Sequence, residues 1–305
     1  MGRYVLRRVT LLPVTFLILA FVIFCILRLT ADPILLYLDI DATPEAAAVL
    51  RAELHLDKPL AVQFLYFLAE LARGDFGVSH VFHQPALPLI GQRLGPTLML
   101  VGAAMAIAVG GGILLGMLCA VRRDRPTDFV ISALAVVGQS MPSFWLGILL
   151  IQLFALHLGW LPTSGMGGPE HLVLPALTLA AIQLPNFVLV TRTAMLETMG
   201  EQFVVTARAK GLRTRRVLFR HVLPNAVTPV LTLLGLQLGL LIGGSIVTES
   251  IFAWPGVGRL IISSIFQRDV SVVIAGVFVI SLAIMLCNLA VDLLLSALDP
   301  RIRRD

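Results

Sequence analysis

The chain has 305 residues, of which 58% are hydrophobic and 13% charged. A soluble domain carries roughly 45–50% apolar and about 25% charged residues, so this composition excludes an ordinary soluble enzyme or binding module. The net charge of +5 is distributed by compartment, as shown below, and is no sign of nucleic-acid binding.

A hydrocarbon layer about 30 Å thick is crossed by roughly 20 apolar residues in a helix. In chain order, the uncharged runs Val9–Leu27, Leu94–Val121, Phe129–Gly159, His171–Thr191, Val222–Thr248 and Val270–Val291 all meet that length. They are continuous rather than alternating, which predicts an all-α membrane protein of six helices and not a barrel. The first run is longer than the roughly 7–15 residues of a signal-peptide core, and no small-residue cleavage site follows it. A retained helix is therefore expected over residues 1–29, together with a short N-terminus.

Residues 30–93 form the only sizeable extramembrane segment on the side that the basic residues, below, assign to the outside. Thr43-Pro44-Glu45 reads as an N-cap with proline at the first helical position. A second start at Pro59 opens the apolar stretch Leu60, Val62, Phe64, Leu65, Phe67, Leu68, Leu71, closed by Gly74. That helix is too short to cross and is expected to lie against the membrane or the other spans. Gly112 and Gly116, and likewise Gly235, Gly239 and Gly243, recur every four residues, a spacing that lets helix backbones approach closely. Pro175 and Pro185 predict kinks in the fourth span. Cys25, Cys119 and Cys287 lie in three different spans and are expected to be buried small hydrophobes.

Arginine and lysine predict the orientation. The N-terminus, the loop after the second span, the loop after the fourth and the tail together hold sixteen of the 23 basic residues. The opposite-side segments hold the other seven, and loop 30–93 also carries eight acids. Both termini are therefore expected in the cytoplasm.

Neither lysine, Lys58 or Lys210, follows a glycine, so the chain has no Gly-Lys-[Ser/Thr] phosphate-binding loop. The spans carry no chain of acidic and histidine residues of the kind a proton relay needs; Glu249 and Asp292 stand at span ends, where snorkelling or helix-end pairing is expected. No Gly-x-Ser-x-Gly or His-Glu-x-x-His occurs, which argues against an intramembrane hydrolase. No catalytic residue, cofactor or metal ligand is assigned. If the chain pumps, its ATPase is a separate protein. A self-sufficient channel or secondary transporter is the rival reading, with an intramembrane enzyme behind it.

The loop after the fourth span suggests where such an ATPase attaches. Glu201 to Gly211 reads as a short surface helix with a glycine C-cap, and nine residues later comes His221-Val222-Leu223-Pro224. This spacing resembles the Glu-Ala-Ala…Gly…Ile-x-Leu-Pro loop of bacterial ABC-importer permeases. Ala207, Gly211, Leu223 and Pro224 match, while Val205, Thr206 and His221 depart from it. Thr206-Ala-Arg-Ala-Lys-Gly-Leu212 with His221-x-Leu-x-Asn-Ala226 is similar to the dipeptide/oligopeptide/nickel branch. The likeness continues through Leu56-Asp-Lys-Pro-Leu60, Gly74-Asp-Phe-Gly77, Pro142-Ser-Phe-Trp-Leu-Gly147, Gly159-Trp-Leu-Pro162, Glu249–Arg259 and Ala297–Arg303. The stretches Phe252–Arg259 and Cys287–Leu294 resemble the nickel permease in particular.

The resemblance implies a multi-pass protein of the bacterial inner membrane with a type I importer domain over residues 94–296 and a cytoplasmic tail at 297–305. It implies a second homologous permease, two ATP-binding subunits and an extracytoplasmic substrate-binding protein as partners, beside membrane lipid. It also implies an ATPase-coupling loop within 192–224, carried by Thr206, Ala207, Arg208, Lys210, Gly211, His221, Leu223 and Pro224. The alternative for that helix is an amphipathic segment resting on anionic lipid. The cargo implied is a peptide or nickel; His80 and His83 have a spacing that could touch a metal, but they are not assigned as ligands.

Overall fold

The computed structural model describes residues 2–30 and 56–298. The helices are α1 (Gly2–Thr30), α2 (Leu60–Arg73), α3 (Ala86–Val121), α4 (Pro126–Ser140), α5 (Ser143–Leu150), α6 (Glu170–Met199), α7 (Gln202–Ala209), α8 (Thr214–Val217), α9 (Leu223–Ile251), α10 (Val257–Phe266) and α11 (Val270–Leu298). Wider π-helical turns extend α5 over Ile151–His157 and join α8 to α9 over Leu218–Val222. Among the described residues the sole β feature is an isolated bridge between Val78 and Pro85. The helix start expected at Thr43 lies outside these residues.

Among the described residues four helical stretches are long and apolar enough to cross a membrane: Ala86–Val121, Glu170–Met199, Thr214–Ile251 and Val270–Val291. The first uncharged run appears as α1, with a shorter apolar stretch over Leu12–Arg28. The remaining run, Phe129–Gly159, is not the uninterrupted helix its composition suggests. It breaks at Met141-Pro142, and the two halves meet at 106°. Pro142 has no N–H to continue the ladder and pushes the residue before it towards extended backbone, and Met141 has ψ 131°.

The chain forms two compact units, one from residues 93–259 and 283 onward, the other from 2–92 and 260–282. In the first unit α6 is the central element, with more than half of its apolar window buried, against a third or less for the other three crossing stretches. It runs unbroken through Pro175 and Pro185. Gly112 and Gly116 are the reason α3 can lie against it. A Cβ at Gly112 would sit 2.3 Å from Phe187 Cβ, and one at Gly116 would sit 2.6 Å from the Val188 carbonyl oxygen. Gly235 and Gly239 meet Val291 and Ile284 of α11 in the same way, whereas Gly243 has nothing within 4 Å and has no such packing partner.

In the second unit α2 packs on α1 and the start of α11, through Ala20, Leu71 and Phe278 ringed by Phe16, Phe64, Phe67 and Phe76. Phe278 is the hub, with ring centroids 5.2 Å from Phe16 and 5.9 Å from Phe76. Gly74, at φ +73°, closes α2 as expected. The following turn is tied down by Ser79, whose hydroxyl donates to the buried Asp269 carboxylate and accepts from the Phe82 N–H at 2.9 Å.

Candidate functional site

The expected surface helix is α7, with Glu201 at its N-cap. Val204 and Ala207, three apart on one face, are buried with Met195, Val217, Val222 and Ala226. Phe203 and Val205 flank that stripe on either side and are exposed, at 43% and 58%, as are Thr206, Arg208 and Lys210. The inward stripe thus fastens the loop to the first unit, and an apolar side chain is left uncovered on each flank of it. Thr206 donates its hydroxyl to the Gln202 carbonyl at 3.0 Å, a bond internal to the helix.

Gly211 ends this helix in the left-handed conformation, at φ +76°. Its N–H donates to the Arg208 carbonyl at 2.9 Å, and the Leu212 N–H reaches the Ala207 carbonyl at 3.4 Å. These two bonds satisfy carbonyls that the helix end would leave bare, and they require the backbone turn that glycine adopts without penalty.

The chain then turns through α8 and the wider turn Leu218–Val222 into α9. Pro224 accounts for the widening: its ring crowds the Arg220 carbonyl and it offers no N–H to that group. His221 lies in this turn, half-buried, and its carbonyl accepts from Asn225 Nδ2 at 2.7 Å. Leu223 packs against the cluster under α7. Gly211, Leu212, Arg213, Arg215, Arg216, Phe219, Arg220 and Pro224 line an open groove of about 960 Å³. Four arginines and no acid line it, so it suits an anionic surface. Of the expected residues, Ala207 and Leu223 pack inward, Gly211 and Pro224 shape the backbone, Thr206, Arg208 and Lys210 stand exposed, and His221 is half-buried in the wide turn. The groove arginines were visible in sequence only as a run of charge.

At the opposite end of α9 lies a constellation that separates the two readings of Glu249, snorkelling and helix-end pairing, in favour of the second. Glu249 does not snorkel; it is fully buried. Its Oε1 accepts from Thr97 Oγ1 at 2.7 Å and from Ser245 Oγ at 3.2 Å, and its Oε2 accepts from the Arg259 N–H at 2.9 Å. Thr97 Oγ1 accepts in turn from the Val257 N–H at 2.9 Å. Trp254, also buried, donates its indole N–H to the Pro96 carbonyl at 2.9 Å. A Cβ on Gly256 would fall 2.2 Å from Glu249 Cδ, so only glycine lets the loop wrap the carboxylate. The Phe-Ala-Trp-Pro-Gly-Val-Gly-Arg stretch is thus a loop folded around a buried acid.

No group of three or more His, Cys, Asp or Glu side chains that could hold a metal occurs among the described residues. What remains is a helical membrane protein with a fastened surface helix at one end of α9 and an acid-centred loop at the other.

The family described as binding-protein-dependent transport system inner membrane component matches residues 112–304, and its N-terminal companion family matches residues 1–100. This chain belongs to that family. It is 43% identical over 304 residues to the glutathione transport system permease protein GsiC of Salmonella choleraesuis (strain SC-B67), covering 99% of each chain. Its identity to GsiC of Escherichia coli (strain K12) is 40% over the same length and coverage. Among solved structures it resembles the MetNI methionine ABC transporter, with a TM-score of 0.60 and 19% identity over 69% of this chain and 96% of the other. A histidine-bound amino acid ABC transporter matches with a TM-score of 0.51 and 21% identity, over 70% and 94%. The fold is therefore all-α, multi-pass and of the ABC-importer permease kind. The protein is an inner-membrane permease component of a binding-protein-dependent importer, and this family's permeases are not themselves enzymes.

Proposed function

We propose that this permease forms half of the translocation path of an ATP-driven importer for small peptides of the glutathione type. The observation that carries the cargo is the end-to-end identity of 40–43% with glutathione-system permeases. The likeness to nickel permeases in the C-terminal third gains no support from these relatives. Residues 94–296 act as the type I transmembrane domain, paired with a second homologous permease. Two ATP-binding subunits sit below and an extracytoplasmic binding protein delivers cargo from outside. Both termini face the cytoplasm, on the strength of the basic-residue bias.

Within this scheme loop 192–224 is the coupling element. The exposed Phe203 and Val205 on α7 enter a groove of an ATP-binding subunit, with Thr206, Arg208 and Lys210 beside them. Ala207 and Leu223 carry the motion into the core under α7, while Gly211, His221 and Pro224 hold the loop's shape. A short helix clamped to a packed core transmits rigid-body movement rather than absorbing it.

Uptake of radiolabelled glutathione, dipeptides and nickel in a strain lacking this gene, with and without the gene restored, tests the cargo. Peptide or glutathione uptake is expected to fall and return with the gene, with nickel uptake unaffected. Loss of nickel uptake with intact peptide uptake would restore the metal reading.

A further inference from the structure

The break between α4 and α5 falls inside the uncharged run 129–159, beside a pair of amide side chains. Gln139 is the fourteenth residue of α4, about 20 Å along the helix from Pro126 at ~1.5 Å per residue. Asn186 is the seventeenth of the 30 residues of α6, near that helix's middle. Gln139 Nε2 donates to Asn186 Oδ1 at 3.3 Å. The helices are in contact here, a Cβ at Gly138 lying 3.9 Å from the Ala181 carbonyl oxygen, an ordinary van der Waals distance. Gln139 is exposed and Asn186 half-buried.

Each carboxamide can donate two hydrogen bonds and accept two, so one mutual bond leaves most of their capacity open. Facing hydrocarbon, that capacity would go unmet at a cost of several kcal/mol per group. The backbone adds to the demand. Met141 and Pro142 are extended, with ψ values of 131° and 135°, and α4 ends there with carbonyls that the helix no longer serves. Irregular backbone at membrane depth is tolerated only inside protein or along a water-filled cavity. Two independent features of one spot, an amide pair and a broken helix, therefore call for polar company on the same side.

We propose that Gln139 and Asn186 line the water-filled path and hydrogen-bond the backbone amides of a peptide in transit. Neutral carboxamides fit that role, since each matches both the N–H and the C=O of a peptide group without holding a charge that would trap the cargo. The cargo in this inference rests on the peptide reading above; the placement of the two side chains on the path does not.

The test uses the assembled transporter in proteoliposomes, with Cys25, Cys119 and Cys287 replaced by serine and then Gln139→Cys or Asn186→Cys introduced singly. A hydrophilic thiol reagent is expected to modify both variants, and saturating peptide with binding protein and ATP to slow that modification. Gln139→Leu with Asn186→Leu should cut peptide uptake about tenfold while the subunits still co-purify, and Gln139→Asn should recover part of it. Modification only by a lipid-soluble reagent would put the pair against lipid, and modification by neither would put it inside a permease–permease contact; either overturns the proposal. So would hydrophilic labelling that peptide never slows, combined with normal uptake by the double leucine variant. If the parent transporter imports no peptide, the cargo assignment fails, and cargo-free hydrophilic labelling still decides whether the side chains face water.

Discussion

Arg192 holds the Asp128 carboxylate with two parallel hydrogen bonds, from Nε to Oδ1 at 2.7 Å and from Nη2 to Oδ2 at 2.8 Å. The pair joins the first turn of α4 to α6, and Asp128 also accepts from the Asp124 N–H at 3.2 Å. A bidentate pair with a buried carboxylate differs from the usual surface ion pair, which contributes little.

Removing one partner should therefore be costly. Asp128→Asn is expected to destabilise the detergent-purified protein by about 1.5–3 kcal/mol, because it leaves the guanidinium without a counter-charge. Arg192→Lys should lose part of that, since an ammonium cannot make the forked contact. A double-mutant cycle on thermal unfolding measures the coupling, and a value near zero would mean the pair holds nothing.

Gly211 stands at φ +76° with nothing within 4 Å of its would-be Cβ, so the constraint there is conformational and not steric crowding. Gly211→Asp is expected to cost about 1 kcal/mol locally and to reshape the loop, leaving membrane insertion and permease pairing intact. Gly211→Asn should be milder, because asparagine accepts the left-handed region more readily. Pull-down of the ATP-binding subunits and substrate-stimulated ATP turnover in reconstituted vesicles should both drop for the aspartate variant. Normal values for both would favour a helix that rests on anionic lipid.

Glu249 and Thr97 make a matched pair of probes for the loop that wraps them. Thr97→Val removes the hydroxyl that joins the Val257 N–H to Glu249, and is expected to destabilise by about 1–3 kcal/mol. Glu249→Gln should act likewise, since one carboxamide oxygen cannot accept from Thr97, Ser245 and Arg259 together. Thr97→Ser keeps the bridge and should stay near wild type. Thermal unfolding together with protease cutting within 252–259 reads the effect, and unaltered cutting in Thr97→Val would show that the bridge does not hold the loop.

Orientation is open to reporter fusions. Fusions within 31–91, 160–170 and 252–268 are expected to report the outside, and fusions after Arg123, Arg213 and Arg303 the cytoplasm. A cytoplasmic signal from 31–91 would reverse the assignment.

Several elements were readable before any coordinates. Pro59 and Gly74 bracket α2 as expected, and Gly211 closes α7, because proline and glycine act through their own backbone and need no distant partner. The glycine spacing was readable only in part. Gly112, Gly116, Gly235 and Gly239 each meet a neighbouring helix, yet Gly243, in the same register, faces open space. Period alone says which face a residue is on and not what lies opposite. The break at Pro142 was missed because an apolar run stays uncharged through a bend, and prolines occur in membrane helices that do not break, as Pro175 and Pro185 do not.

By itself the sequence determined that this chain crosses a membrane several times, where its long apolar runs lie, and which loop matches an importer's coupling segment. These depend on quantities carried along the chain: apolar length against bilayer thickness, local caps, and the order of short motifs. Tertiary structure alone decided that Glu249 is a buried hub rather than a span-end charge, and that Arg192 and Asp128 meet across 64 residues. It alone put Gln139 beside Asn186 at a helix break. A charge or an amide is written the same way in sequence whether it faces water, lipid or a partner. Only the packing of α3, α4, α6 and α9 fixes which partner comes within hydrogen-bonding distance, and that makes the difference between a cost and a contact.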